Sequence, residues 1–143
     1  MNRFVLDAST VLTWCFPDEH SDEAQQALTF LQQGYEAVAP SFWPVEVLNA
    51  LLMGERRRRI TQGLTQTFLR DLQKLPVTLD SSPAPAVFAD VEALARRHRM
   101  TAYDAAYLEL ALRQKLPVAT LDRDLLRASA AEGVILLSAK LLP

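Results

Sequence analysis

The chain has a single cysteine, Cys15, so it can form no internal disulfide. It has two histidines, His20 and His98, neither with a partner at a recognisable ligand spacing, so a histidine-based metal site is not expected. No apolar run approaches the roughly 18 residues of a membrane span. The start, "MNRFVLDAST", has too short an apolar stretch for a signal peptide and lacks a small-residue cleavage site. A reduced, cytoplasmic setting without a membrane partner is the expectation. Only four glycines and 22% charged residues argue against disorder. There is no GxxxxGK(S/T) loop and no GxGxxG. No Ser-His or Cys-His pair stands out, which disfavours covalent catalysis. The net charge of -2 excludes a strongly basic nucleic-acid binder, but leaves room for a local basic rim.

What is present is half apolar, enough for residues 1–143 to form one domain around one core. Short apolar runs alternate with amphipathic stretches. "RFVLD", "EAVAP", "PVTLD", "PVATLD" and "VILLS" read as strands. Between them lie helices: "ASTVLTW"; "SDEAQQALTFLQQG" with Ser21 as N-cap and Gly34 as stop; "PVEVLNALLMGERRR" with Pro44 at its first position. "TQGLTQTFLRDLQKL", "PAVFADVEALARRHR", "TAYDAAYLELALRQ" and "RDLLRASAAEG" complete the set. Strands apolar on both faces and separated by helices predict a three-layer α/β/α sandwich with a mostly parallel sheet of about five strands. Such sheets carry their sites at the carboxyl ends of the strands, where strand order reverses.

Four acids gather where that rule points. Asp7 ends the first strand, Asp122 ends the fourth, and Glu46 and Asp104 lie in first turns of helices. Each has a plain structural explanation, as an N-cap, a capping-box member (Thr101-x-x-Asp104) or a first-turn acid. Against it, Asp104 falls on the helical wheel between Tyr107, Leu108 and Ala111, away from a Glu109/Arg113 side expected to face solvent. Glu46 is flanked by Val45, Val47, Leu48, Ala50 and Met53, on a helix apolar enough to be expected in the interior. Ser9 follows Asp7, and Thr120 shares a strand face with Asp122. Converging carboxylates repel one another, and a hard divalent cation such as Mg²⁺ or Mn²⁺ relieves that repulsion. The chemistry that fits is metal-assisted phosphodiester hydrolysis.

Other residues divide between two readings. Asp124 is either a supporting acid or a first-turn helix acid; Asn49, one turn after Glu46, either bonds a carboxylate or sits at the surface. Arg123 beside Asp122 contacts a substrate phosphate or forms a surface ion pair. The arginines of "ERRRRI" fan around their helix and cannot share one groove, and "RRHR" reads as a second solvated helix end. Trp14 reads as a core aromatic, with base stacking as the alternative.

"VLDASTVLTW", "PVEVLNALL", "TAYDAAYLELA" and "PVATLDRDLL", in this order, resemble the motifs of PIN-domain ribonucleases over essentially the whole chain. The size and the opening "LDASTVLTWCFPDE" are similar to VapC-type toxins of toxin–antitoxin pairs. The resemblance implies a parallel five-stranded sheet and a Mg²⁺ or Mn²⁺ site at Asp7, Glu46, Asp104 and Asp122, with Ser9 and Thr120 nearby. It further implies RNA cleavage, a cognate antitoxin and a homodimer. Two rivals remain: a catalytically silent module binding RNA or protein on the same fold, and an aspartyl-phosphate switch. The switch needs a second acid beside Asp7 and a supporting lysine, and Lys74, Lys115 and Lys140 do not clearly supply one.

Overall fold

Phe4, Val5 and Leu6 are all fully buried, although consecutive strand residues point to opposite faces of a sheet. Both faces of their strand are therefore covered. The structure, a computed structural model describing residues 2–16 and 18–138, has a parallel sheet of four strands. These are β1 (Arg3–Leu6), β2 (Glu36–Pro40), β3 (Val77–Asp80) and β4 (Val118–Ala119), in the spatial order β3-β2-β1-β4. The helices are α1 (Ala8–Thr13), α2 (Asp22–Gln32), α3 (Trp43–Arg56), α4 (Gln62–Leu72), α5 (Ala84–Ala86), α6 (Glu92–His98), α7 (Ala102–Gln114) and α8 (Arg123–Ala131). A π turn over Val87–Val91 joins α5 to α6. The three-layer α/β/α reading holds.

Local signals set most boundaries. Ser21, Thr61 and Thr101 each accept a backbone N–H with the side-chain oxygen, capping α2, α4 and α7. Gly34 follows α2 with φ of 97°, the left-handed turn that a glycine adopts without steric cost. The fifth expected strand is reduced to a single parallel bridge, Val118 to Leu136, because β4 itself is only two residues long. The rest of "VILLS" adds no ladder up to Ser138. Pro44 sits one position later than expected, since α3 begins at Trp43.

One expectation about helix faces is overturned and a second holds only in part. Helix α3 is not an interior helix: Val47 and Leu51 are buried, but Val45 is 69% exposed, and Leu48, Leu52 and Met53 also face outward. Nothing among the described residues covers that side. The Glu109/Arg113 side of α7 is open to solvent at Arg113 but closed at Glu109. Glu109 is only 9% exposed, because Arg113 bonds it at 2.7 Å and reaches on to Asp80 at the end of β3, also 2.7 Å away.

The segment that follows α1 approaches α3 closely at Gly54. A Cβ added there would stand 2.7 Å from the ring of Phe16, itself buried and capped by the guanidinium of Arg59 at 4.2 Å. Gly54→Ala is accordingly expected to destabilise the fold by about 1–3 kcal/mol, the usual cost of overpacking. A shift of the urea midpoint at constant m-value would show it; an unchanged midpoint would mean that the ring yields freely.

Candidate active site

Strand order reverses beside β1, which has β2 on one side and β4 on the other. Asp7 leaves the end of β1 at this crevice, and Thr120 and Asp122 leave the end of β4. Asp7 occupies the N-cap position of α1 but caps nothing with its side chain. Its Oδ2 instead accepts from the Ser9 and Thr120 hydroxyls, each at 2.6 Å. Those hydroxyls in turn accept from the backbone N–H groups of Leu121 and Asp122, both at 3.0 Å. Two relays thus tie the loop after β4 to the carboxylate after β1. The Asp7 carboxylate is 4% exposed, and its Oδ1 receives neither hydroxyl.

The same half-tied state recurs at two further acids. Asp122 accepts the Leu125 N–H on Oδ1, capping α8 and leaving Oδ2 for the crevice. Glu46, from the first turn of α3, accepts the Tyr107 hydroxyl of α7 on Oε1, leaving Oε2. Tyr107 was read from the sequence only as an apolar neighbour of Asp104. The available signal was its spacing, three residues beyond Asp104 and hence on the same helical face. The phenol ring is buried with Phe42 edge-on at 5.8 Å, and burial together with nearby Asp7 raises its pKa, so it remains a donor.

Asp104 completes the cluster. Its carboxylate, with those of Asp122 and Asp124, offers oxygens that all lie within 4.8 Å of one another. Asp124 therefore belongs to the cluster by position, although it also pairs with Arg127 at 3.3 Å. Burial, then the charges of Asp122 and Asp7, push the Asp104 pKa up to about 6. Burial raises Glu46 as well, with Asp7, Asp104 and Asp122 adding to the effect against the Tyr107 hydrogen bond. Asp7 is likewise raised, chiefly by burial and despite its two hydroxyl donors. The donor set is wholly carboxylate oxygen, it is mutually repelling, and it leaves oxygens unengaged. Those properties fit a hard divalent cation.

The remaining candidates separate. Asn49 is not brought to Glu46: it is exposed, with its amide 3.7 Å from the Met53 sulfur. Arg123 is exposed at the start of α8 and makes no ion pair among the described residues. Trp14 donates its indole N–H to the Ala24 carbonyl at 2.8 Å, a structural role. His98 and Arg97 both donate to Glu132 and clasp α6 to the end of α8.

The family model that describes the PIN domain matches residues 4–131. The chain belongs to the PIN-domain family. This PIN domain is 31% identical to ribonuclease VapC3 of Pyrobaculum aerophilum over 123 residues, 86% of this chain and 92% of that protein. Among solved structures it resembles PAE2754, also from Pyrobaculum aerophilum, with a TM-score of 0.66 and 20% identity over 88% of this chain and 84% of that one. It also resembles the Mycobacterium tuberculosis toxin VapC20, which cleaves the sarcin-ricin loop, with a TM-score of 0.65 and 14% identity over 94% and 98% of the two chains. At those identities the two structures speak for the PIN fold alone.

Proposed function

We propose that this PIN domain is a metal-dependent endoribonuclease and the toxin of a toxin–antitoxin pair. The observation that carries the proposal is a group of acids from four segments of the chain: oxygens of Asp104, Asp122 and Asp124 lie within 4.8 Å of one another, and Asp7 and Glu46 stand near enough for their charges to act on the same group. Asp7, Glu46, Asp104 and Asp122 would hold Mg²⁺ or Mn²⁺, with Asp124 supporting them. When bound there, such an ion lowers the pKa of water and neutralises charge developing on a phosphate. The protein's share is positioning. Ser9 and Thr120 hold Asp7, Tyr107 holds Glu46, and the α8 cap holds Asp122, so the ligands are organised before any ion or substrate arrives. Arg123, exposed beside Asp122, is placed to meet a substrate phosphate.

The likeness to VapC3 supports RNA as the substrate class and a cognate antitoxin as the partner. We take residues 1–143 as one domain that acts in the cytoplasm as a homodimer. No helix among the described residues is long and apolar enough to cross a membrane. The uncovered apolar side of α3 offers the surface that a protein partner needs.

The test is cleavage of structured and single-stranded RNA with Mg²⁺ or Mn²⁺ and with EDTA. Cleavage that requires the metal supports the nuclease. RNA binding that survives chelation, with no cleavage of any RNA, would favour the catalytically silent module instead.

A further inference from the structure

A groove of about 360 Å³ lies between α1 and α3, beside the hydroxyl relay that holds Asp7. Its lining includes Ser9 and Leu121, which are linked by the hydrogen bond that helps to hold Asp7, together with Thr13, Glu19 and Gly54. Arg57 and Arg59 line it as well. These are two of the four successive arginines after α3, and the structure distinguishes among the four. Arg59 is already engaged, bonded to both oxygens of Asp18 at 3.1 and 3.2 Å and laid over the Phe16 ring. Arg58 takes the left-handed turn that ends α3, with φ of 58°, and does not line the groove, nor does Arg56. Arg57 lines the groove, is exposed, and makes no ion pair among the described residues.

A polyanion approaching this crevice meets several carboxylates on a chain of net charge -2. It needs positive charge placed beside the cluster, where the cluster does not neutralise it. We propose that Arg57 binds a backbone phosphate of the RNA that flanks the scissile one, and that the groove between α1 and α3 is the path of that strand. The proposal rests on the ribonuclease reading above. Arg57 offers a planar fork of N–H donors suited to phosphate oxygens. The floor at Gly54 and Phe16 is apolar, and Glu19 on the same lining stands 3.8 Å from Arg59, which leaves Arg57 for the strand.

The experiment uses the full chain carrying Asp104→Asn, with a fluorescein-labelled, mixed-sequence single-stranded oligoribonucleotide titrated at several KCl concentrations. Arg57→Gln is expected to weaken binding about tenfold at low salt. It should also reduce the slope of log K against log salt by about 0.7, the contribution of one phosphate contact on a single strand. Arg57→Lys should retain the slope. Arg56→Gln and Arg58→Gln should leave both readouts nearly unchanged, and the thermal midpoint of Arg57→Gln should match its parent. In the active protein, Arg57→Gln should raise KM and spare kcat. Equal losses in all three Gln variants would mean diffuse attraction by the arginine run and would overturn the assignment. So would unchanged binding in Arg57→Gln while the wild type still cleaves, and that outcome leaves the ribonuclease reading standing. If the wild type neither binds nor cleaves RNA, the ribonuclease reading fails and the Arg57 assignment falls with it.

Discussion

Asp104→Asn is expected to lower metal-dependent RNA cleavage roughly a thousandfold or more while making the metal-free protein more stable. The first effect follows from removing a charged oxygen donor from the proposed site, where a bound ion would supply several kcal/mol of charge stabilisation. The second follows from the crevice itself. Burial and the charges of Asp122 and Asp7 push the Asp104 pKa up to about 6, so its ionised form is disfavoured in the fold at neutral pH. Asparagine keeps the shape and removes the charge. After allowance for partial exposure, the gain should be about 1–2 kcal/mol. Thr101 still caps α7, because that bond uses its own oxygen and a backbone N–H. Urea unfolding in EDTA and cleavage in Mn²⁺ read the two effects separately. Lost cleavage with lost stability would indicate a damaged fold and would remove the case for Asp104 as a ligand.

Acidity and metal should act on this protein in opposite directions. The Asp104 carboxyl has an ordinary value of 3.8 in the unfolded chain and about 6 in the fold. Its unfavourable contribution is therefore absent below the first value and complete above the second. Without metal, stability should rise as pH falls from 7 toward 4.5, with Asp7 and Glu46 contributing in the same sense. Asp80 works the other way: its hydrogen bond and ion pair with Arg113 lower its pKa. Its stabilisation is present above the ordinary carboxyl value and is lost only in stronger acid, so the two windows do not coincide. At pH 7.5, Mn²⁺ at a hundred times its Kd should add about 2.7 kcal/mol. Below pH 6 that gain should fade, because protons compete for the same oxygens. Denaturation curves at pH 5 and 7.5, with and without Mn²⁺, test both signs. A metal-free protein that is steadily stabilised from pH 5 to 7.5 would contradict the cluster as described.

Much of this architecture is legible in the chain because the signals are local. Ser21, Thr61 and Thr101 announce helices through their own hydroxyls, and β1 and β2 read correctly as strands apolar on both faces. The crevice was legible for the same reason, since parallel strands bring their carboxyl ends to one edge. What stayed hidden depends on partners distant in sequence. Glu109 is withdrawn from solvent by an arginine that also needs Asp80, 33 residues before it. The outward apolar side of α3 looks, in sequence, the same as an inward one, because the pattern does not say whether another element covers it. "VILLS" has the composition of a strand, but β4 offers it only two residues beside which to pair. Asp124 resembled an ordinary first-turn acid, and only the meeting of α7 with α8 brings it to Asp104.

The hydroxyl relays on Asp7 also bear on when the protein can act during its own synthesis. Thr120 lies 113 residues beyond the carboxylate that it holds. A ribosome adding 5–20 residues per second needs roughly 6–23 s to cover that distance. Until β4 leaves the exit tunnel, Asp7 lacks one of its two hydroxyl donors, Asp122 is missing, and one edge of β1 is unpaired. The order of its own strands thus leaves the nascent chain without the complete cluster. On the ribonuclease reading, the messenger being translated is spared by its own product at least until the codons for Thr120 and Asp122 have been read.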